Sequence, residues 1–244
     1  MSARSLGDVP LSATANGSKQ RSILFDLDGT IAKTDDLHFE AFNHVLAPFG
    51  RVLTRLEFDE HVSGHANSEI MKYLLPQVTD PSQLSVLIDA KEADYRARAS
   101  SGIPAVEGLA SLLDWAHRQG LSMAIVTNAP RLNADMVLRA VGMRHRFDAV
   151  IISDELTNGK PHPLPYLTAL ERLEVPADQA VAFEDSRSGV RSARAAGVPV
   201  LGIVGTLSRS QLVAAGAEDA FDRFDHPDVR VTIQRILRMT VRSL

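Results

Sequence analysis

The sequence contains no cysteine among its 244 residues. Disulfide bridges, thiolate metal sites and a cysteine nucleophile are therefore excluded, and the absence fits the cytoplasmic location that we expect. The sequence also lacks an uninterrupted apolar run of about eighteen residues, so no membrane span is expected. With 30 acidic and 26 basic residues and no basic block, the chain lacks the electrostatic pattern of a nucleic-acid-binding protein, and we expect no nucleic-acid partner.

The composition is that of a globular protein. A hydrophobic content of 45% over this length is enough for one large core, or for one core and a small accessory domain. The first twenty residues are rich in Ser, Ala and Gly and lack the apolar centre of a signal peptide, so we predict a flexible tail over 1–20. A monomer or a weak homodimer is the expected assembly.

Short apolar runs alternate with helical patterns from residue 102 onward. The runs, at 121–127, 148–153, 180–184 and 198–204, are typical of strands buried on both faces, and an earlier run at 22–27 resembles them. Between them, apolar residues recur at helical spacing, as in Leu132, Met136 and Ala140. This alternation predicts an α/β fold, with a parallel sheet and helices on both faces.

The segment 35–101 has a different pattern. It contains helical stripes but no convincing strand, and it separates the first strand from the second. We therefore predict a catalytic core made of 21–34 and 102–244, with an all-helical cap inserted at 35–101. Such a cap would emerge at the carboxyl end of strand one, where open α/β sheets bind their ligands.

Polar side chains follow the ends of several predicted strands. They are Asp26 and Asp28, Thr127 and Asn128, Lys160, and Glu184 with Asp185. Carboxyl ends of parallel strands lie at one edge of a sheet, and four carboxylates there would repel one another without a cation. Mg²⁺, which prefers oxygen ligands, fits this set. The hydroxyl of Thr127, the ammonium of Lys160 and backbone N–H groups near Gly29 and Thr30 suit a phosphoryl group.

Four short motifs carry a specific resemblance. The stretches "DLDGT", "VTN", "GKPHP" and "FEDS" occur in this order at the predicted strand ends. Over about 21–225 the chain resembles the haloacid dehalogenase-like superfamily, in its helical-cap branch of phosphoglycolate phosphatases and β-phosphoglucomutases. The resemblance implies a Rossmann-like three-layer core with a helical cap.

The resemblance also implies a role for each motif residue. Asp26 would attack phosphorus and form an aspartyl phosphate, while Asp28 would act as general acid and then as general base. The implied Mg²⁺ ligands are the Asp26 carboxylate, the Asp28 carbonyl and Asp185, with Glu184 binding a metal-bound water or orienting the loop. Thr127, Asn128 and Lys160 would hold the phosphoryl oxygens, and Lys160 would keep Asp26 ionised.

Three residues of the predicted cap are candidates for substrate binding. His38 lies where many members of this superfamily carry a histidine that faces the core. Asn67 follows Gly64 by three residues, where mutases of the branch carry an arginine that grips a second phosphate. Lys91 matches a further cap lysine of those mutases. Because Asn67 lacks the guanidinium fork, the pattern favours a phosphatase over a mutase.

Three functions remain open at the level of sequence. Dehalogenases of the superfamily lack the second aspartate, so Asp28 favours a phosphate ester as substrate. We predict a Mg²⁺-dependent phosphatase of small phosphorylated metabolites, such as sugar phosphates or phosphoglycolate-like esters. A phosphomutase of the β-phosphoglucomutase type is the alternative, and a non-catalytic binding module is the third possibility, which the intact motifs disfavour.

Overall fold

A computed structural model describes residues 21–239, so the predicted tail at 1–20 lies outside the described residues. Within that range, six parallel strands form one sheet in the order β3-β2-β1-β4-β5-β6. The strands are β1 (Ser22–Phe25), β2 (Ser122–Thr127), β3 (Ala149–Ile152), β4 (Ala180–Glu184), β5 (Val200–Ile203) and β6 (Asp219–Phe221). The order reverses at β1, which pairs with β2 on one side and with β4 on the other. The predicted α/β fold with a parallel sheet is confirmed.

Helices cover both faces of this sheet because alternate strand residues point to opposite sides. Ile23 and Phe25 pack in one hydrophobic cluster, whereas Leu24 belongs to the other. The first cluster includes α5 (Leu109–Arg118), α6 (Arg131–Ala140) and α10 (Pro227–Ile236). The second includes α7 (Leu164–Leu173), α8 (Arg187–Ala195) and α9 (Arg209–Ala215). The result is the three-layer, Rossmann-like arrangement that the resemblance implies.

Four helices lie between β1 and α5 in the chain. They are α1 (Asp35–Leu46), α2 (Arg55–His61), α3 (Asn67–Leu74) and α4 (Pro81–Ala99). They share a separate hydrophobic cluster, in which Phe42, Phe58 and Met71 are buried. Phe39 packs against this cluster, but Phe49 is 42% exposed. The exact cap limits, 35 and 101, stay a prediction.

Two short segments connect these four helices to the sheet, and the segments are paired. Ala32 forms an antiparallel bridge with Ala105. The N–H of Lys33 donates to the carbonyl of Pro104 at 2.9 Å, and the N–H of Val106 donates to the carbonyl of Ile31 at 3.0 Å. The chain therefore leaves and re-enters the core at the same place. None of the helices in the described part of the chain is both long and apolar enough to cross a membrane.

Candidate active site

A cleft lies between the carboxyl edge of the sheet and helices α1–α4. Asp26 directly follows β1, Thr127 ends β2, and Glu184 ends β4. Lys160 is in the loop between β3 and α7. The sequence-predicted residues that line the cleft are Asp26, Asp28, His38, Asn67, Lys91, Thr127, Asn128, Lys160 and Asp185. The sheet order explains this convergence, because β1 lies between β2 and β4 at the point where open sheets form a crevice.

Lys160 is the centre of the buried charge cluster. Its ammonium Nζ lies 2.6 Å from Asp26 Oδ1 and 2.6 Å from Glu184 Oε1. Burial opposes the charged form, but these two carboxylates raise the pKa of Lys160 above its usual value. Lys160 therefore stays protonated and holds one oxygen of Asp26 in place.

Two carboxyl groups in this cluster have raised pKa values. Burial raises the pKa of Asp26 to about 8, with Lys160 opposing the shift and Glu184 adding to it. Burial also raises the pKa of Asp185 well above its usual range, with further contributions from Asp35 and Asp26. Lys160 alone therefore does not keep Asp26 ionised at neutral pH, contrary to the expectation from the sequence, and a further cation is needed to stabilise these carboxylates in their charged forms.

The donor set fits a hard divalent cation. Asp26, Glu184 and Asp185 are buried, and each can offer a carboxylate oxygen within 4.8 Å of the others. Oxygen donors of this type suit Mg²⁺. Glu184 has its own partners, since Oε1 also accepts a hydrogen bond from the Tyr166 hydroxyl at 2.7 Å and Oε2 accepts one from Ser186 Oγ at 3.2 Å. Asp26 and Asp185 are therefore the freer ligands.

Asp28 has a different environment from Asp26. Its Oδ1 accepts a hydrogen bond from Thr34 Oγ1 at 2.8 Å and lies 3.5 Å from His38 Nε2. Burial opposes ionisation, but His38 and Thr34 lower the pKa of Asp28 below its usual value. The His38 ring stacks on Tyr95 with centroids 3.9 Å apart, and this contact fixes the imidazole over the carboxylate.

Thr127 and Asn128, at the end of β2, are candidates for the predicted phosphoryl cradle, which stays a prediction. Thr127 Oγ1 accepts a hydrogen bond from the N–H of Ala129 at 2.9 Å, so its hydroxyl proton stays available for donation. Asn128 Oδ1 accepts from the N–H of Lys160 at 3.1 Å, and its Nδ2 donates to the carbonyl of Gly64 at 3.3 Å.

Gly29 and Thr30 are not among the residues that line the cleft. Gly29 has φ +74°, and a Cβ there would overlap the Asp185 carboxylate. Thr30 donates its hydroxyl to Asp185 Oδ1 at 3.2 Å. Both residues therefore act on the orientation of Asp185, a contact that the sequence did not predict.

The helical side of the cleft contributes a second polar cluster. Lys91 on α4 is buried, and its Nζ lies 2.9 Å from His38 Nδ1 and 2.7 Å from Glu92 Oε1. Asn67 at the start of α3 donates to the same Glu92 oxygen at 2.8 Å. Asn133 on α6 donates to Glu92 Oε2, so this carboxylate joins the cap helices to the core.

Sequence reasoning missed several residues of the site. Tyr166 and Tyr95 contact the motif residues Glu184 and Asp28. Glu92 contacts the candidate Lys91, and Asn133 contacts Glu92. Glu92 directly follows Lys91, a spacing that normally places two helical side chains on different faces. The signal that marks Glu92 as a site residue is its burial, with 5% of the residue exposed, and burial is known only once the structure is known.

Comparisons with known proteins agree with this geometry. The family model described as haloacid dehalogenase-like hydrolase matches residues 23–203. Protein CbbY of Cereibacter sphaeroides is 34% identical, over 83% of this chain and 92% of the relative. The phosphorylated carbohydrates phosphatase of Thermotoga maritima is 29% identical, over 80% of this chain and 91% of that protein. A crystal structure of a CbbY mutant from Rhodobacter sphaeroides with xylulose-(1,5)bisphosphate has a TM-score of 0.74 at 32% identity, covering 84% of this chain and 94% of that one.

Proposed function

Because the chain belongs to the haloacid dehalogenase-like hydrolase family, we propose that it is a Mg²⁺-dependent phosphatase of small phosphorylated metabolites. Sugar phosphates and phosphoglycolate-like esters are the proposed substrate class, and the reaction proceeds through an aspartyl phosphate. The carrying observation is the Asp26 carboxylate, held by Lys160 at the sheet edge with Asp28 two residues away. The relatives named for carbohydrate phosphatase activity and for a bound sugar bisphosphate support the same class.

The proposed metal ligands are the side chains of Asp26 and Asp185 and the backbone carbonyl of Asp28. Glu184 orients Lys160 and lies close enough to meet a metal-bound water. When bound, Mg²⁺ supplies positive charge that offsets the repulsion between the carboxylates and the phosphoryl oxygens.

Asp26 acts as the nucleophile in the first displacement. Lys160 holds Oδ1 of Asp26 and so fixes the position of the carboxylate. An oxygen of this carboxylate attacks phosphorus while the bond from phosphorus to the leaving oxygen breaks. Asp28 must be protonated for this step, against the lowered pKa that His38 and Thr34 give it, and it passes that proton to the leaving oxygen, so the alcohol leaves in neutral form. The Thr127 hydroxyl, the Asn128 amide and the Lys160 ammonium hold the phosphoryl oxygens during this step.

Asp28 acts as a base in the second displacement. It takes a proton from water, whose oxygen attacks phosphorus and releases the Asp26 carboxylate and inorganic phosphate. The proton taken here replaces the one given to the leaving oxygen, so Asp28 ends the cycle as it began. Hydrogen bonds from Thr34 and His38 hold the carboxylate in position for both transfers.

The substitution Asp26→Asn tests the proposal. With p-nitrophenyl phosphate and Mg²⁺, we expect phosphate release to fall by at least about a thousandfold, because an amide is a poor nucleophile. Asp178→Asn is the matched control, since Asp178 is exposed in the short 3-10 helix before β4. Turnover of Asp26→Asn at the wild-type rate would contradict the mechanism.

A second measurement separates the phosphatase from the phosphomutase. Asn67 donates to Glu92 rather than offering a fork for a second phosphate, so a mutase grip is not supported here. With β-glucose 1-phosphate, formation of glucose 6-phosphate faster than release of phosphate would establish the mutase instead. Phosphate release without isomerisation is the expected result.

A further inference from the structure

Glu92 places a buried carboxylate in the wall of the cleft that contains Asp26. It lies on α4 and lines the cleft together with Lys91 and Asn67, on the side opposite the phosphoryl cradle. A substrate that offers its phosphate to Asp26 and Lys160 therefore extends its remaining part toward this wall.

Lys91 and Glu92 neutralise each other. The two side chains form an ion pair of 2.7 Å, and they are only 2% and 6% exposed. Although burial opposes ionisation, the Lys91 charge and the hydrogen bonds lower the pKa of Glu92, so the carboxylate is charged. The Lys91 ammonium also lies 2.9 Å from His38 Nδ1, and it lies 4.5 Å from the centroid of the Phe42 ring. Little of its charge remains for a ligand.

The cationic side chains that line the cleft within residues 21–239 do not favour a second phosphate. Lys160 and Lys91 are the lysines of the lining, which contains no arginine, and each is paired with a carboxylate. Arg96 lines a neighbouring cleft and donates to Asn133 Oδ1 at 3.0 Å. A second phosphate at this wall would meet a neutralised ion pair and no free lysine or arginine, so nothing from these residue types would compensate for the loss of its hydration.

Hydroxyl groups would find better partners at the same place. Glu92 Oε1 accepts two hydrogen bonds, from Lys91 and Asn67, while Oε2 accepts one from Asn133. An ionised carboxylate has about four acceptor positions, so Oε2 retains one for a substrate hydroxyl. The Glu92 carboxylate can thus accept a hydrogen bond from a substrate hydroxyl, while its ion pair with Lys91 has no net charge.

We propose that Glu92 is a specificity-determining residue that restricts the site to monophosphate esters with an uncharged, hydroxyl-bearing remainder. The proposal rests on the proposed phosphatase function and narrows its substrate class to sugar monophosphates: sugar bisphosphates and phosphoglycolate-like esters, whose remainder carries a carboxylate, are both excluded as good substrates. Glu92 discriminates by holding the Lys91 ammonium in an ion pair, so that its charge is not available to a second phosphate.

Matched pairs of sugar phosphates test the proposal. The probes are fructose 6-phosphate with fructose 1,6-bisphosphate, and xylulose 5-phosphate with xylulose 1,5-bisphosphate. For the wild type we expect kcat/KM to favour the monophosphate by about tenfold or more. Where a probe is not turned over, its inhibition constant against p-nitrophenyl phosphate hydrolysis replaces kcat/KM. In Glu92→Gln the preference should shrink by about tenfold, through tighter binding of the bisphosphate.

Two further variants keep the test decisive. Glu92→Asp retains the charge and should retain the preference for the monophosphate. If Glu92→Gln does not fold, the ratio of kcat/KM values for the two probes is compared between Glu92→Asp and the wild type, and loss of the preference in either protein contradicts the proposal. Glu69→Gln removes one charge from an exposed position on α3 and should change neither member of a pair.

Several outcomes would overturn the proposal. They are equal use of both probes by the wild type, an unchanged ratio in Glu92→Gln, or an equal loss for both probes, which indicates a merely structural role. Absence of phosphate release from every ester, p-nitrophenyl phosphate included, would instead refute the phosphatase itself.

Discussion

Lys160 holds one ammonium group between two buried carboxylates, each 2.6 Å from its Nζ. The oxygen of Glu184 that it contacts is also bonded by the Tyr166 hydroxyl, whose ring lies 5.3 Å from the same Nζ. Such a buried cluster is stable only while every member keeps its partner, because an uncompensated buried charge costs several kcal/mol. The position of Asp26 therefore depends on Glu184, which does not touch it directly in the hydrogen-bond network.

Gly189 provides a residue-scale test of this dependence. It lies within α8, where a Cβ would overlap the Glu184 carboxylate. Helix propensity alone predicts that Gly189→Ala stabilises the protein by up to about 1 kcal/mol. We expect the opposite, a loss of about 1–3 kcal/mol in the free energy of unfolding, because the methyl group must displace Glu184. Phosphate release should fall as well, since Lys160 shifts with Glu184.

The comparison for Gly189→Ala is Arg191→Ala on the exposed face of the same helix. Its free energy of unfolding in urea should stay within about 0.5 kcal/mol of the wild-type value. A Gly189→Ala protein that is more stable than wild type and fully active would show that Glu184 has room to move.

Among the secondary-structure elements, the loop between α2 and α3 is the one that docks the inserted helices on the core. Gly64 in this loop has φ +75°, and a Cβ there would overlap Ser186. Its carbonyl accepts hydrogen bonds from Asn128 Nδ2 and from the Ser188 hydroxyl. Because Asn128 also bonds to the backbone of Lys160, docking of this loop and placement of the phosphoryl ligands share one side chain.

Removal of the Ser188 hydroxyl should loosen this loop. Ser188→Ala deletes one hydrogen bond, worth about 1 kcal/mol, so opening of 62–66 becomes roughly fivefold more frequent. Hydrogen–deuterium exchange of peptides that cover 62–66 measures the effect. Ser192→Ala on the same helix removes a bond to the His162 carbonyl, within the core, and should leave that exchange unchanged. Equal exchange in the Ser188→Ala and wild-type proteins would contradict the docking role.

The elements of the core are predictable from sequence where their patterns are long enough. The apolar runs at 121–127 and 180–184 correspond closely to β2 and β4. The run at 22–27 extends beyond β1, which ends at Phe25 because the chain then turns into the Asp-containing loop. β6 has three residues, too few to show a period, and it was not predicted.

Some polar contacts of the site are predictable from the sequence and others are not. The ends of parallel strands predict that Asp26, Thr127 and Glu184 converge, and the structure brings them together. The contact between Glu92 and Asn133 joins residues 41 positions apart on two helices. Nothing in either helical pattern specifies that crossing, since it follows from how the cap helices pack on α6.

At the scale of the whole molecule, the strand order concentrates negative charge at one edge of the sheet. Asp26, Glu184 and Asp185 are buried there with Lys160 as their cationic partner. Two of these carboxyl groups have raised pKa values because burial penalises their charged forms. A bound divalent cation relieves this penalty in the folded state alone, so metal binding and global stability are linked.

Addition of Mg²⁺ should therefore raise the unfolding temperature. At a free concentration one hundred times the dissociation constant, the linkage is worth about 2.7 kcal/mol. For a chain of this size that corresponds to roughly 5–10 °C, measurable by calorimetry with and without a chelator.

Asp185→Asn is the variant that isolates the metal site. The amide removes one ligand charge, so the Mg²⁺-dependent shift should disappear over the same concentration range. Asp178→Asn, at an exposed position in the short 3-10 helix before β4, should keep the full shift. An equal Mg²⁺ effect in wild type and Asp185→Asn would place the metal elsewhere.

The paired connections at 31–33 and 104–106 have a consequence for how this architecture can change. Because Lys33 bonds to Pro104 and Ile31 to Val106, the two ends of the helical insertion are fastened to each other before the insertion begins. The insertion is thereby closed at its base, outside the residues that pair β1 with β2. Exchange of the helical segments at this point would leave Asp26 and Lys160 attached to the sheet, but it would remove the contacts that His38 makes with Asp28 and Gly64 makes with Asn128. Substrate range can therefore evolve in the insertion only where the new segment again supplies partners for these two residues.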